Sequence, residues 1–269
     1  MPFPTSERVR FSRNQIRNVV CQLRFPTILK VEASLPVDFQ ECIRDMYPQY
    51  QERVVKTNTH LPADIENLIP EQMKQLLAGG GRHFDFTSVD GKKTITLNKE
   101  FLSLTTTEYG EWNAFIGDLK GALEALIRIY RPALFMRIGL RYQNVILRSE
   151  IDQSEADWSE LINPYMAGIL ADGHVAQHVN ECMQVAIVRL SDGLGHVRIQ
   201  QGLVIEQNRN EPAYLIDSDF YTEHPQETGN ELDILDQLHR QAGHFFRWAI
   251  EPRLHDALVP ELRGSSNNR

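Results

Sequence analysis

Two stretches of the chain follow one plan: a β-hairpin turning on Asp-Gly, one or more further strands, then a long amphipathic helix. The first runs from Arg82 through Asp90-Gly91 to Tyr130, and the second from Cys182 through Asp192-Gly193 to Ile250. Asp-Gly is the dipeptide best suited to a tight type I′ hairpin turn, whose two central residues both need positive φ. Two such blocks in one chain predict an α+β fold of two similar halves. Each half is expected to be an antiparallel sheet, built as an Asp-Gly hairpin meander and covered by a long amphipathic helix. The implied division is an N-terminal half over 1–148, a C-terminal half over 149–262 and a disordered tail over 263–269, where Gly-Ser-Ser-Asn-Asn-Arg offers nothing to bury.

The helices are the clearest local signals. Trp112, Phe115, Ile116, Leu119, Leu123, Leu126, Ile127 and Tyr130 recur at intervals of three and four, a broad apolar stripe that must lie on a sheet. Pro132 stops that helix. Leu232, Leu235, Leu238, Ala242, Phe245, Phe246 and Ala249 repeat the pattern, and Pro252 limits it. Strands are expected over 82–89, 92–97 and 101–107 in the first half, and over 183–190, 196–206 and 213–220 in the second. Two longer strands precede the meanders, 18–31 with Pro26 as a bulge or edge marker, and 133–147. A short helix follows Pro36, helical turns span 158–170, and Ser6 to Arg17 reads as a polar, extended lead-in. Between Gln49 and Gly81 only an extended piece near Val54 and Val55 and a helix over 70–77 stand out. The run Gly79-Gly80-Gly81 there lacks the spacing of a phosphate-binding loop.

A chain of 269 residues buries enough core to fold without staples. Its three cysteines, Cys21, Cys42 and Cys182, lack CxxC spacing and lie among apolar neighbours, which reads as small core residues in a reducing compartment. No leader pattern opens the sequence and no apolar run reaches the roughly 20 residues of a membrane span, so a cytoplasmic protein is expected. The formal charge of −8 argues against sequence-independent nucleic-acid binding, which depends on many Lys and Arg at phosphates.

Four groups of residues carry candidate chemistry. His174 and His178 have the i, i+4 spacing that presents two imidazoles to one metal, but Val175 stands where a zinc-protease helix places Glu, and no metal site is assigned. Asp217 and Asp219, with Glu206 and Glu223 nearby, form the best acidic cluster; paired carboxylates hold Mg²⁺ in phosphoesterases and nucleases, and they also serve plain turns. Arg24, Arg137 and Arg141, with Gln22 and Gln143, share one polar sheet face if the two long strands are neighbours, and guanidinium forks there suit carboxylate or phosphate. His239 reads as a surface residue and His244 as a packed or capping imidazole. No nucleophile motif, cofactor loop or kinase signature is present.

The segments Arg13-Asn-Gln-Ile-Arg-Asn-Val-Val-Cys-Gln-Leu-Arg-Phe-Pro-Thr-Ile-Leu29, Arg137-Ile-Gly-Leu-Arg-Tyr-Gln-Asn144 and Tyr214-Leu-Ile-Asp-Ser-Asp-Phe220 resemble a sporadically distributed bacterial family that is catalogued by number and carries no functional name. The likeness spans nearly the whole chain and is most specific at Gly-Leu-Arg-Tyr-x-Asn. It implies a bacterial cytoplasmic protein whose patchy occurrence suits mobile or defence-related genes, and it implies no catalytic residues. The positions it singles out are Arg24, Arg141, Tyr142, Asn144, Asp217 and Asp219. Together with Arg137 these are the candidate ligand-binding residues. The expected function is non-catalytic: binding or regulating a protein partner in a phage-defence or toxin-control system, with homo-oligomer formation as a further expectation and no cofactor. The alternatives are a metal-dependent phosphoesterase or nuclease on Asp217 and Asp219, and a small-anion or nucleotide sensor on the arginine face.

Overall fold

The computed structural model describes residues 2–55, 81–206 and 209–262, and the helix expected over 70–77 and the tail over 263–269 lie outside them. The strands are β1 (Val9–Phe11), β2 (Ile16–Arg24), β3 (Gln49–Val55), β4 (Gly81–Thr87), β5 (Lys93–Leu97), β6 (Phe101–Thr106), β7 (Leu134–Phe135), β8 (Arg137–Leu147), β9 (Cys182–Arg189), β10 (His196–Glu206), β11 (Glu211–Tyr221), β12 (Gln226–Glu227) and β13 (Pro260–Leu262). The helices are α1 (Leu29–Ala33), α2 (Val37–Ile43), α3 (Trp112–Tyr130), α4 (Trp158–Leu161), α5 (Pro164–Ala167), α6 (Gly173–Ala176), α7 (Glu231–Ala249) and α8 (Pro252–Ala257). The protein is thus α+β, with a large antiparallel sheet. No described helix is long and apolar enough to cross a membrane.

Nine of the described strands join in the order β3-β4-β5-β6-β2-β8-β11-β10-β9. One continuous sheet therefore replaces the two expected from the sequence. The reason is the pairing of β2 with β8, in which Cys21 stands opposite Leu140 and Leu23 opposite Ile138. Side chains alternate across a strand, so Val19, Cys21 and Leu23 share one face with Ile138, Leu140 and Tyr142, and all six are buried. Against that face lie α7, packed on β8 and β11, and α3, packed on β6 and α2. The two long helices touch: Trp112 Nε1 donates to Asp236 Oδ1 at 3.1 Å. In α3 the stripe residues Phe115, Leu119, Leu123 and Leu126 are all buried, each contributing roughly 1.5–3 kcal/mol of apolar burial.

Several local expectations are corrected. Pro26 ends β2 rather than bulging it, and Leu29–Ala33 turns into α1, because a proline cannot donate to a strand ladder. The bulge lies earlier, between Ile16 and Asn18. The Asp90-Gly91 turn does not have the two-residue form expected of it. Ser88 N donates to Lys93 O (2.9 Å) and Leu190 N to Gly195 O (2.8 Å), so each loop holds four residues. Positive φ falls on the glycine, +73° at Gly91 and +70° at Gly193, which only glycine adopts without strain. In the first loop the Asp90 carboxylate instead accepts from Lys92 N at 3.0 Å.

The strand expected over 133–147 splits. Leu134–Phe135 leaves the main sheet to pair with β12, so Phe135 is buried and Met136 exposed, whereas strict alternation over 133–147 predicts Met136 on one face with Ile138, Leu140 and Tyr142 and Phe135 on the other with Arg137 and Arg141. The N-terminal lead-in is not free either: β1 pairs with β13, and Phe3 packs on Phe245 and Trp248 with ring centroids 5.1 and 5.4 Å apart. Of the cysteines, Cys21 is buried, Cys182 half-buried and Cys42 exposed, a correction for Cys42.

Candidate functional site

The seven candidate residues divide between the two faces of the sheet. On the face turned away from α3 and α7, β2–β8 pairing sets Arg24 opposite Arg137 and Asn18 opposite Gln143, so these side chains are neighbours as the sequence suggested. The arginines of β8 are engaged by carboxylates of β11. Arg141 Nε donates to Asp217 Oδ1 at 2.7 Å while its Nη2 donates to Asp217 Oδ2, a bidentate fork. Arg137 Nη2 donates to Asp219 Oδ2 at 2.7 Å and its guanidinium lies over the Tyr221 ring, 4.6 Å from the centroid. Gly139 makes that path available, since a Cβ there would sit 2.4 Å from Arg137 Nη1. Among the described residues Arg24 forms no side-chain ion pair.

The hydrogen bond to Asp217 holds the Arg141 guanidinium above its ordinary pKa. Burial pushes the Asp219 carboxyl up, against the opposing pull of Arg137 and Arg141. The wider acidic cluster does not form. Glu206 stands at the far end of β10 opposite Glu211, and Glu223 lies 3.6 Å from His196. Among the described residues no three His, Cys, Asp or Glu side chains converge as a metal set. His174 and His178 are both exposed, and the His174 backbone N–H caps on Asp172.

Tyr142 and Asn144, the other two candidates, point to the helix side and line a cavity of about 360 Å³. Its floor is Tyr142 and Asn144 of β8 with Ser218 of β11. One wall is α7, through His239, Ala242, His244, Phe246 and Arg247, and another is the turn Tyr109–Trp112 that opens α3. The N-terminal segment Ser6–Phe11 closes it as a strap, held by β1–β13 pairing and by the anchor of Phe3.

The polar groups of this cavity are ordered by one another. Tyr142 Oη and His239 Nδ1 share a 2.8 Å hydrogen bond. The His239 ring stacks on Trp112, with centroids 4.2 Å apart and planes 5° from parallel. Tyr109 meets Tyr142 edge-on at 5.7 Å. Burial raises the Tyr142 phenol well above its usual pKa, so it stays a neutral hydroxyl. Asn144 Nδ2 reaches the Ile216 carbonyl at 3.5 Å. Ser6 N donates to His244 Nδ1 at 3.1 Å; a backbone N–H can only donate, so Nδ1 is the acceptor and the neutral ring carries its proton on Nε2. Burial lowers the His244 pKa below its ordinary value.

Sequence reasoning placed His239 at the surface and left Trp112 in the core stripe. Their stacking joins α3 to α7 across more than a hundred residues of chain, and no local pattern encodes it. The strap was missed for the same reason, since β1 and β13 are only three residues each. One signal was available: Phe3 just before the polar lead-in, and Val9 and Phe11 within it, are apolar residues that need somewhere to pack. No protein-family model matches this chain, and no curated protein is similar to it.

Proposed function

We propose that this chain is a non-catalytic binding protein that holds a small molecule in the cavity beneath the N-terminal strap and acts as a regulator. The observation that carries the reading is the cavity itself. It falls within the size range of small-molecule sites and combines apolar walls with a few converging polar groups: the Tyr142–His239 pair, Asn144 and Ser218. Its walls come from both long helices, the sheet and the strap, so an occupant touches every part whose relative position a regulator would change. The bacterial cytoplasmic setting that the resemblance implies, and a protein partner, complete the proposal. The arginine face serves it less well as an anion site, because Asp217 already fills the fork of Arg141 and Asp219 pairs with Arg137.

We also propose that the two halves are related. What supports this is that β2 and β8 lie side by side, each followed by short helices, a meander returning to its edge, and a long helix.

The test is a thermal-shift panel of nucleotides, amino acids and carboxylates on the wild type and on Gly243→Leu. Gly243 borders the cavity and has open space around the position of an added Cβ, so leucine would fill the cavity without a clash at Cβ. At least one compound is expected to raise the melting temperature of the wild type and not of the variant. A panel without effect on the wild type, or shifts that persist in Gly243→Leu, would count against the cavity as the site.

A further inference from the structure

We infer that β9 pairs antiparallel with β9 of a second copy of this chain, centred on Val185, so that two nine-stranded sheets become one. The strand lies at the end of the sheet, and no described strand pairs with its outer side. Leu190 N donates to Gly195 O, and the register continues as Arg189 opposite His196 and Val188 opposite Val197. Backbone groups alternate in direction along an antiparallel strand. Cys182, Gln184, Ala186 and Val188 therefore address β10, while Met183, Val185 and Ile187 turn N–H and C=O outward.

The same three residues place their side chains on the face away from the helices, where they are 41%, 52% and 52% exposed. Natural edges are blunted by proline, lysine or inward-pointing charges. β9 reads Cys-Met-Gln-Val-Ala-Ile-Val-Arg and has none of these before its last residue. An open edge that turns Met183, Val185 and Ile187 outward is an aggregation hazard unless a matching strand covers it.

The sequence of the edge selects the occupant and the register. A two-fold axis at Val185 sets Val185 against Val185 of the partner subunit and Met183 against Ile187 of the partner subunit. All three outward-turned residues then form mutual backbone hydrogen bonds, and the apolar side chains form one strip on one face. At the two ends Glu181 meets Arg189 of the partner subunit. Both are exposed and neither forms an ion pair among the described residues. Sliding the axis by two residues either way breaks this match. Centred on Ile187, Val185 faces Arg189; centred on Met183, Val185 faces Glu181. Only the Val185 register pairs apolar with apolar and acid with base.

Sedimentation equilibrium over a micromolar concentration range tests the inference. The wild type is expected to dimerise. Val185→Pro removes an N–H that has no partner among the described residues, so this variant is expected to be monomeric with an unchanged far-ultraviolet circular dichroism spectrum. Arg189→Glu sets glutamate against Glu181 at both ends and is expected to weaken the dimer by about tenfold or more. Adding Glu181→Arg restores the opposite charges and the affinity. A monomeric wild type, or a dimer that survives Val185→Pro, overturns the inference. Charge reversals without loss and rescue overturn this register, and they decide the matter if the proline variant does not fold.

Discussion

Arg141 and Asp217 show how one pair of side chains supports either a structural or a functional reading until its partners are known. From the sequence, Arg141 was an open fork for an anion and Asp217 half of an acidic cluster. In the fold each is the other's partner, and the Asp217 side chain keeps only 5% of its surface. Removing water from that carboxylate is costly, and the bidentate guanidinium offsets the cost. His244 is different, because its partner is the strap. Its folded pKa is lowered by burial from the usual value near 6.5 that applies in the unfolded chain. As pH falls through about 6.5 the unfolded state takes up the proton first, so stability declines with acidification until the folded imidazole also titrates. Protonation puts a hydrogen on Nδ1, so the Ser6 N–H loses its acceptor and only Ser6 Oγ, also 3.1 Å away, is left to take the imidazolium proton. His244→Asn keeps an acceptor for Ser6 N but does not titrate. Urea unfolding between about pH 7 and pH 5 is therefore expected to show a shallower loss of stability in this variant than in the wild type. Equal slopes would remove His244 from the pH response.

Helix α3 was legible from end to end because its stripe repeats for 19 residues and a proline follows. What stops it is subtler than Pro132. Arg131 takes a left-handed conformation at φ +48°, with its N–H on the Ile127 carbonyl, a position that suits glycine far better than a residue with a Cβ. Gly117 and Gly121, by contrast, sit inside the helix with open space around an added Cβ. Exchanging these preferences gives an outcome at the element scale. Arg131→Gly and Gly121→Ala are each expected to raise stability by about 0.5–1 kcal/mol, read as higher midpoints in denaturant unfolding at unchanged slope. A loss on Arg131→Gly would mean that the arginine side chain carries a contact worth more than the backbone strain. Elements written as periodic runs, α3, α7 and the meander strands, were readable in this way. The rest was not. The break between β7 and β8 reverses the alternation at a single residue, Met136, and the β1–β13 pair joins six residues from opposite ends of the chain. Likewise Tyr142 and Arg141 are adjacent in sequence but serve opposite faces. Strand alternation reveals that separation, yet only the position of the helices decides which face holds the cavity.

At the scale of the whole molecule, the sequence suggested two halves, each with its own sheet, whereas the hydrogen-bond ladder runs unbroken across the middle. β2 pairs with β6 on one side and β8 on the other, and β8 passes the ladder on to β11. The helices are coupled at the same place by Trp112, which stacks on His239 and donates to Asp236. Opening the β2–β8 seam would expose two apolar strand edges and would also uncover Cys21, Leu23, Ile138 and Leu140, all of which are now fully buried. At roughly 1.5–3 kcal/mol for each large side chain, that loss rivals the net stability of an ordinary domain. Neither half can then persist while the other unfolds. Scanning calorimetry is expected to show one transition whose calorimetric and van 't Hoff enthalpies agree. Trp112→Ala removes the coupling between the helices and is expected to lower the midpoint while keeping a single transition, since the seam of the sheet remains. Two resolved peaks in the wild type would instead mean that each half carries a self-sufficient core and that the β2–β8 ladder contributes little.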